Sequence, residues 1–283
     1  MKYLVLGAGG MAGHMISHYL IECGETVEGL AVTDLPYCKT HVMDVTDFPA
    51  LKKLITNGKY DYIINCIGLL NQTAENNVAA AILINSYLPH YLATITKEMD
   101  TRIIHMSTDC VFSGKRGQYT EQDFPDGETY YDRTKALGEL NDNKNLTFRN
   151  SIIGPDINEN GIGLMNWFMK QTGTISGYSK SIWTGVTTLT LAKAMHRASQ
   201  IKLTGLYNLV NNDSINKYEM LNLFNKYSGK ALVINEIDGI NHDKSLHRTR
   251  TDFDFIVPSY EQQIKEVFDW VNSHKELYPH YFN

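Results

Sequence analysis

The stretch KYLVLGAGGMAGH, residues 2–14, narrows the possible architectures of this chain more than any other. An apolar run leads directly into Gly7, Gly10 and Gly13, and an amphipathic segment follows. Glycines at three-residue intervals between a strand and a helix meet separate demands. They allow a tight turn with positive φ, present bare backbone to a pyrophosphate, and let the helix pack close to the strand. The free N–H groups and the positive end of the helix dipole then face the phosphates. The pattern predicts a dinucleotide-binding strand-turn-helix unit with Gly7, Gly10, Met11 and Gly13 at the cofactor.

The next segments extend this unit. ETVEGLAV, THVMDV, YDYIINCIG and RIIHMSTDCVF alternate with helical stretches, including a long one from about Ala74 to Met99, and LTFRNSIIG reads as a sixth strand. Short apolar strands separated by helices argue for a parallel sheet covered on both faces. Beyond Gly154 the pattern loosens, although GLYNLVNN reads as a strand returning to the sheet. The expected fold class is α/β, a Rossmann-type doubly wound parallel sheet over residues 1–154 with a returning strand near 204–210. Residues 155–283 are expected to form a smaller, interleaved C-terminal substrate lobe.

A net charge of -5 offers no basic surplus for phosphates or anionic lipid, which argues against nucleic-acid and membrane partners. Apolar runs such as YLVLG and DYIINCIGLL fall far short of the roughly 18 residues a membrane span needs. The N-terminus enters a strand at once, without a signal-peptide pattern, so a cytoplasmic location is expected. Cys23, Cys38, Cys66 and Cys110 lack C-x-x-C spacing, and neither disulfides nor zinc is expected. The histidine-bearing stretches NHDKSLHRTR and HKELYPHYFN lack helical i, i+4 ligand spacing, so no metal is expected there.

Cofactor choice turns on the end of the second strand, where an acid would accept the ribose hydroxyls and repel a 2′-phosphate. In VEGLAVTD that position, near Ala31 and Val32, is apolar, and the nearest acid is Asp34. NADP(H) is therefore favoured over NAD(H), although no arginine or lysine waits for the phosphate. Asp44 and Val45 are placed at the adenine edge, with capping of the following helix as the alternative role for Asp44.

TYYDRTKALGE, residues 129–139, holds two adjacent tyrosines and a lysine on a predicted helix. Positions four apart share a helix face, so Lys135 faces Tyr131, while Tyr130 is in register with Thr134. Upstream, HMSTDCVFSG ends a strand and delivers Ser107 and Thr108 to the carboxyl edge of the sheet, where cofactor sites lie. Neighbours on a strand point to opposite faces, so Ser107 is expected to turn away from the site that Thr108 enters.

Taken in order, GAGGMAG, NCIG, INS, STDCVFSG, the Tyr-x-x-x-Lys face followed by ALGE, and SIIG resemble the extended short-chain dehydrogenase/reductases. Within that group they resemble the dTDP-4-dehydrorhamnose reductase family, which acts on nucleotide sugars; the match covers about the first 155 residues well. The resemblance implies a catalytic set of Thr108, Tyr131 and Lys135. It implies backbone contacts to the cofactor from Cys66, Ile67 and Gly68, with Asn85 and Ile152 close by. On the sugar side it places Val111, Phe112 and Trp183. Arg248 or Arg250 is expected at the substrate diphosphate, because a guanidinium matches phosphate oxygens with a planar fork. Long helices beside such sites often form dimer faces, so a homodimer is the assembly to test.

The chemistry needs these residue types. A carbonyl receiving hydride gathers negative charge on oxygen, and wants a proton donor and a second hydrogen bond. The expected function is reduction of the 4-keto group of a nucleotide-activated deoxy sugar for cell-surface polysaccharide. Sugar 4,6-dehydratases carry an Asp-Glu pair where this chain has Asp109 and Cys110, and a thiol cannot replace that carboxylic acid. Cys110 also opens an alternative: a bifunctional epimerase/reductase, resembling GDP-fucose synthase, would place a proton-exchanging cysteine there. That chemistry needs a later histidine, and His196 sits on a predicted helix with no clear approach. STDCVFSG also departs from the STDYVFDG of rhamnose-pathway reductases, which puts rhamnose itself in doubt as the product. A further alternative is a nucleotide-binding regulatory subunit without turnover.

Overall fold

A computed structural model describes residues 1–239 and 242–282. Its centre is a seven-stranded sheet built from β1 (Lys2–Leu6), β2 (Thr26–Ala31), β3 (Lys39–Val42), β4 (Tyr62–Asn65), β5 (Arg102–Met106), β6 (Leu146–Arg149) and β7 (Gly205–Asn208). Every pairing in it is parallel, and the order is β7-β6-β5-β4-β1-β2-β3. The order reverses between β1 and β4, and at such a switch point the loops leaving the two strands part and open a crevice. β7 is the returning strand; it joins the sheet from beyond residue 200. Fully buried Leu4, Val5, Leu6, Ile63, Ile64 and Ile103 explain why these strands read as continuous apolar runs.

The helices that matter here are α1 (Met11–Glu22), α2 (Phe48–Gly58), α3 (Val78–Ile95), α4 (Tyr130–Leu137), α5 (Thr188–Ile201), α6 (Lys217–Ser228) and α7 (Tyr260–Ser273). The long helix expected from Ala74 to Met99 is broken. Asn77 ends the short helix Asn71–Asn76 and starts α3, its side chain accepting a hydrogen bond from the Ala80 amide. The expectation that no apolar run approaches membrane-span length also needs correction. Val78–Ile95 passes on length and hydropathy. In the fold, however, it packs against β5 and α4, and its Asn85 and Ser86 are consumed by internal hydrogen bonds.

LTFRNSIIG is two strands, not one. Asn150 separates β6 from Ser151–Ile153, which leaves the large sheet and pairs with Gly185–Thr187. The remaining ladders, among them Thr174–Tyr178 with Val233–Ile237, belong to the C-terminal half.

Candidate active site

The Gly-rich turn is built as its spacing requires. Gly7 has φ +76°, and a Cβ on Gly13 would lie 2.1 Å from the Gly7 carbonyl oxygen, so only hydrogen fits there. Gly10 caps α1 without any side-chain partner, leaving the first amides of the helix free for an anion. These residues fit a dinucleotide pyrophosphate.

A cavity of about 440 Å³ opens beside this turn, at the carboxyl ends of β1, β4, β5 and β6. Gly10 and Met11 line it from α1, Cys66, Ile67 and Gly68 from the end of β4, and Ile152 from the strand after β6. Thr108, Tyr131 and Lys135 complete the group, so the three expected catalytic side chains meet in one cavity with the glycine turn.

Local structure explains how each arrives. Thr129 and Asp132 form a capping box: Asp132 N donates to Thr129 Oγ1 at 3.1 Å and Thr129 N donates to Asp132 Oδ2 at 3.2 Å. This fixes the start of α4 and hence the rotation of its faces. Tyr131 is 8% exposed whereas Tyr130 is 47% exposed and points away. The Tyr131 amide donates to Glu75 Oε1 at 3.0 Å. Lys135 Nζ donates to the Met106 carbonyl at 2.6 Å, tying α4 to the end of β5. Burial lowers the Lys135 pKa to about 8, with the Glu139 carboxylate opposing. Burial raises that of Tyr131 above the ordinary phenol range; Cys110 adds to this and the Thr108 hydroxyl opposes it, so Tyr131 is a proton-bearing phenol.

Thr108 Oγ1 accepts from the Cys110 amide and donates to Asp109 Oδ1, each at 3.1 Å. Its neighbour Ser107 turns to the other face, where its hydroxyl donates to Glu139 Oε1 at 2.6 Å. Glu139 in turn forms a two-point pair with the fully buried Arg149, at 2.8 and 2.6 Å. That buried pair anchors the strand end through Ser107, while Thr108 is held by its own bonds to the Cys110 amide and Asp109.

Several expected contacts are not in the cavity. Val111 and Phe112 are both 0% exposed and pack with Tyr119, Val210 and Leu246; the short 3₁₀ turn Asp109–Val111 folds them under the site rather than along it. Trp183 is buried against Tyr260 in the C-terminal half, with Lys217 above its ring. Arg250 donates to the carbonyls of Thr204 and Leu206 and pairs with Asp252, which anchors it at the amino end of β7, the opposite edge of the sheet. Arg248 Nη1 donates to the Phe255 carbonyl at 3.3 Å, and Arg248 does not line the cavity. Asp44 is exposed and accepts from Thr46, while Asp47 caps α2; Val45 is buried in the core below. Asn85 supports the site from behind. Its amide group joins the Leu69 backbone to Thr134 Oγ1, and it lies in a π-wound turn of α3.

Other residues had no sequence signal strong enough to single them out. Leu70, Asn71, Asn150 and Ser151 line the cavity. From the C-terminal half, Lys244 approaches Asp132 at 3.8 Å. Lys244 and Lys217 both offset the burial that raises the Asp109 pKa. His196, on α5, pairs with Glu25 and has no part in the cavity. Among the described residues no His, Cys, Asp or Glu side chains group to hold a metal ion. Of the two histidine-bearing stretches, Asn241 at the start of NHDKSLHRTR and Asn283 at the end of HKELYPHYFN lie outside the described residues.

The family model described as the RmlD substrate binding domain matches residues 1–271. A probable low-salt glycan biosynthesis reductase of Haloferax volcanii is 33% identical over 143 residues, which is 49% of this chain and 48% of that protein. The chain thus spans about half the length of the curated relatives it matches. A hypothetical dTDP-4-dehydrorhamnose reductase from Sulfolobus tokodaii is similar in structure, with TM-score 0.77 and 25% identity over 92% of this chain and 98% of that one. The NADP complex of a Bacillus anthracis dTDP-4-dehydrorhamnose reductase shares the fold, with TM-score 0.81 and 19% identity over 95% and 99%.

Proposed function

Because the chain belongs to the RmlD substrate-binding-domain family of extended short-chain dehydrogenase/reductases, we propose that it reduces the 4-keto group of a nucleotide-activated deoxy sugar. One observation carries this reading: Thr108, Tyr131 and Lys135 line the same cavity as the Gly10 turn. The work is assigned to the cytoplasm and to the supply of cell-surface polysaccharide sugars, in keeping with the glycan biosynthesis reductase among its relatives.

The nicotinamide, when bound, supplies the hydride. The protein's own share is positioning and proton delivery. Tyr131 holds its proton and donates it to the carbonyl oxygen as negative charge develops there. Thr108 contributes the second hydrogen bond to that oxygen. Lys135, held by the Met106 carbonyl in the same cavity, is assigned as the cation that favours the phenolate left behind. Burial of the whole group strengthens these interactions by excluding water.

NADPH is the reductant this reading favours. The residue after β2 is Val32, 79% exposed, in the position where an acid would repel a 2′-phosphate. Burial and the Asp109 carboxylate push the Cys110 thiol up to about 12, so it stays protonated at neutral pH. A neutral thiol is a poor base, which favours reduction without epimerisation.

The test follows NADPH absorbance while purified protein meets dTDP-, UDP- and GDP-linked 4-keto-6-deoxy sugars, with Tyr131→Phe in parallel. Oxidation with one sugar that disappears in the variant supports the proposal and names the nucleotide. NADPH binding without oxidation of any sugar would favour a regulatory, non-catalytic protein.

A further inference from the structure

The C-terminal tail is tied to the Gly10 turn and to the segment 154–163 that returns against Met11, and nothing in the proposed chemistry uses it. After α7 the chain makes two short 3₁₀ turns, Lys275–Leu277 and Pro279–Tyr281. Tyr278 and Tyr281 stack on each other with ring centroids 5.7 Å apart, and both are buried.

The first tie runs through His14. The Gly10 carbonyl accepts from the His14 amide at 2.9 Å, and His14 Nδ1 lies 3.0 Å from the same oxygen. A carbonyl only accepts, so Nδ1 carries the ring proton. The other ring nitrogen, Nε2, then accepts from the Tyr278 hydroxyl at 2.9 Å. Complete burial keeps this ring neutral, with its pKa lowered to about 4. Gly10 is the residue that opens α1 at the pyrophosphate turn, so Tyr278 reaches that turn through one side chain.

The second tie runs through the segment 154–163. This segment leaves the cavity wall just after Ile152 and returns at Gly163, where an added Cβ would meet Met11 Sδ at 3.0 Å. Its first turn is held by the Asp156 amide, which donates to the Tyr281 hydroxyl at 2.9 Å. Its middle is held by Asn166 Nδ2, which donates to the carbonyls of Asn158, Glu159 and Gly161. The Asp156 carboxylate accepts from the Asn158 amide and lies near His280 of the tail, so the Tyr281 hydroxyl is one of the contacts that join this segment to the tail.

We propose that Tyr278 and Tyr281 are positioning residues for the dinucleotide, acting through His14 on the Gly10 turn and through the Asp156 amide on the 154–163 segment. This rests on the reading of the cavity as a dinucleotide site. The tail sets how tightly the cofactor is held and leaves the proton-transfer groups untouched.

Tyr278→Phe, Tyr281→Phe and the double variant keep the stacked rings and remove only the hydroxyls. Two measurements decide. NADPH fluorescence titration without sugar should give a Kd raised on the order of tenfold in each single variant, as expected for one lost buried hydrogen bond. In turnover, KM for NADPH should rise while kcat at saturating NADPH stays within about twofold of the parent, since the reacting groups are unchanged. Amide hydrogen exchange on the cofactor-free protein should quicken in peptides covering 154–163 for Tyr281→Phe alone. Unchanged Kd in a double variant that melts like the parent would overturn the proposal, as would a fall in kcat with Kd unaltered. If the parent chain bound no NADPH, the reductase reading would fall. The exchange result would then decide the tail contact by itself, and parent-like exchange at 154–163 would overturn it.

Discussion

Gly13→Ala is the sharpest single perturbation of the cofactor turn. The added methyl would stand 2.1 Å from the Gly7 carbonyl oxygen, 2.8 Å from its carbon and 2.9 Å from Ala8 Cα. All three are backbone atoms, so no rotamer change relieves the clash. The start of α1 must move away from β1 by roughly 1 Å to reach normal contact, an overpacking that costs about 1–3 kcal/mol of stability. The same shift carries the free α1 amides out of the roughly 2.7–3.2 Å window for hydrogen bonds to phosphate. One lost charged hydrogen bond is worth about 1.5–3 kcal/mol, or about 10- to 150-fold in affinity. Urea melts and NADPH fluorescence titration of the same preparation measure both effects. A folded Gly13→Ala protein with NADPH affinity within about twofold of the parent would rule out this mechanism, because that shift cannot spare the phosphate contacts.

Further outcomes follow from the same geometry. Tyr131→Phe should lower kcat by about 10²–10⁴ while Tyr130→Phe changes little, which steady-state kinetics would separate. Lys135 has its pKa lowered to about 8 in the folded chain, against about 10.4 unfolded, so the unfolded state binds the proton more tightly. The charged amine therefore opposes folding below about pH 8, and that penalty is lost as pH rises from there. Lys135→Met should melt higher than the parent at pH 7, lose that advantage above pH 10, and turn over poorly throughout; a lower melting point at pH 7 would contradict this. Arg149→Met strands the buried Glu139 carboxylate and should cost about 3–5 kcal/mol in a denaturant melt. Turnover in heavy water should leave no carbon-bound deuterium in the sugar, because Cys110 remains a thiol.

The fold was legible where local pattern and tertiary demand coincide. Strands buried on both faces show themselves as apolar runs, and the glycine spacing announces a turn in which Gly7 takes positive φ and Gly13 has no room for a side chain. Tyr131 and Lys135 were legible because helical geometry puts positions four apart on one face. The substrate side was not. Val111 and Phe112 follow Thr108 in sequence, yet a 3₁₀ turn sends them into the core. Arg250 carries the right chemistry at the wrong edge of the sheet, a placement set by how the chain returns along β7. Lys217 and Lys244 approach Asp109 from elements more than one hundred residues later, and no local spacing encodes that meeting. The break at Asn77 was hidden because an asparagine inside an apolar helical stretch reads as a surface residue until its capping bond is seen.

Hydride transfer to a sugar carbonyl, with the proton supplied by Tyr131, is what the proposed function stands on. Turnover of a dTDP-4-keto-6-deoxy sugar with NADPH deuterated at nicotinamide C4, followed by mass and NMR analysis of the product, tests both halves together. One deuterium is expected, at sugar C4, and the Tyr131→Phe protein should bind the labelled cofactor but form product at least about a hundredfold more slowly. Deuterium absent from C4, or equal rates for the two proteins, would refute hydride transfer in the first case and the role of Tyr131 in the second.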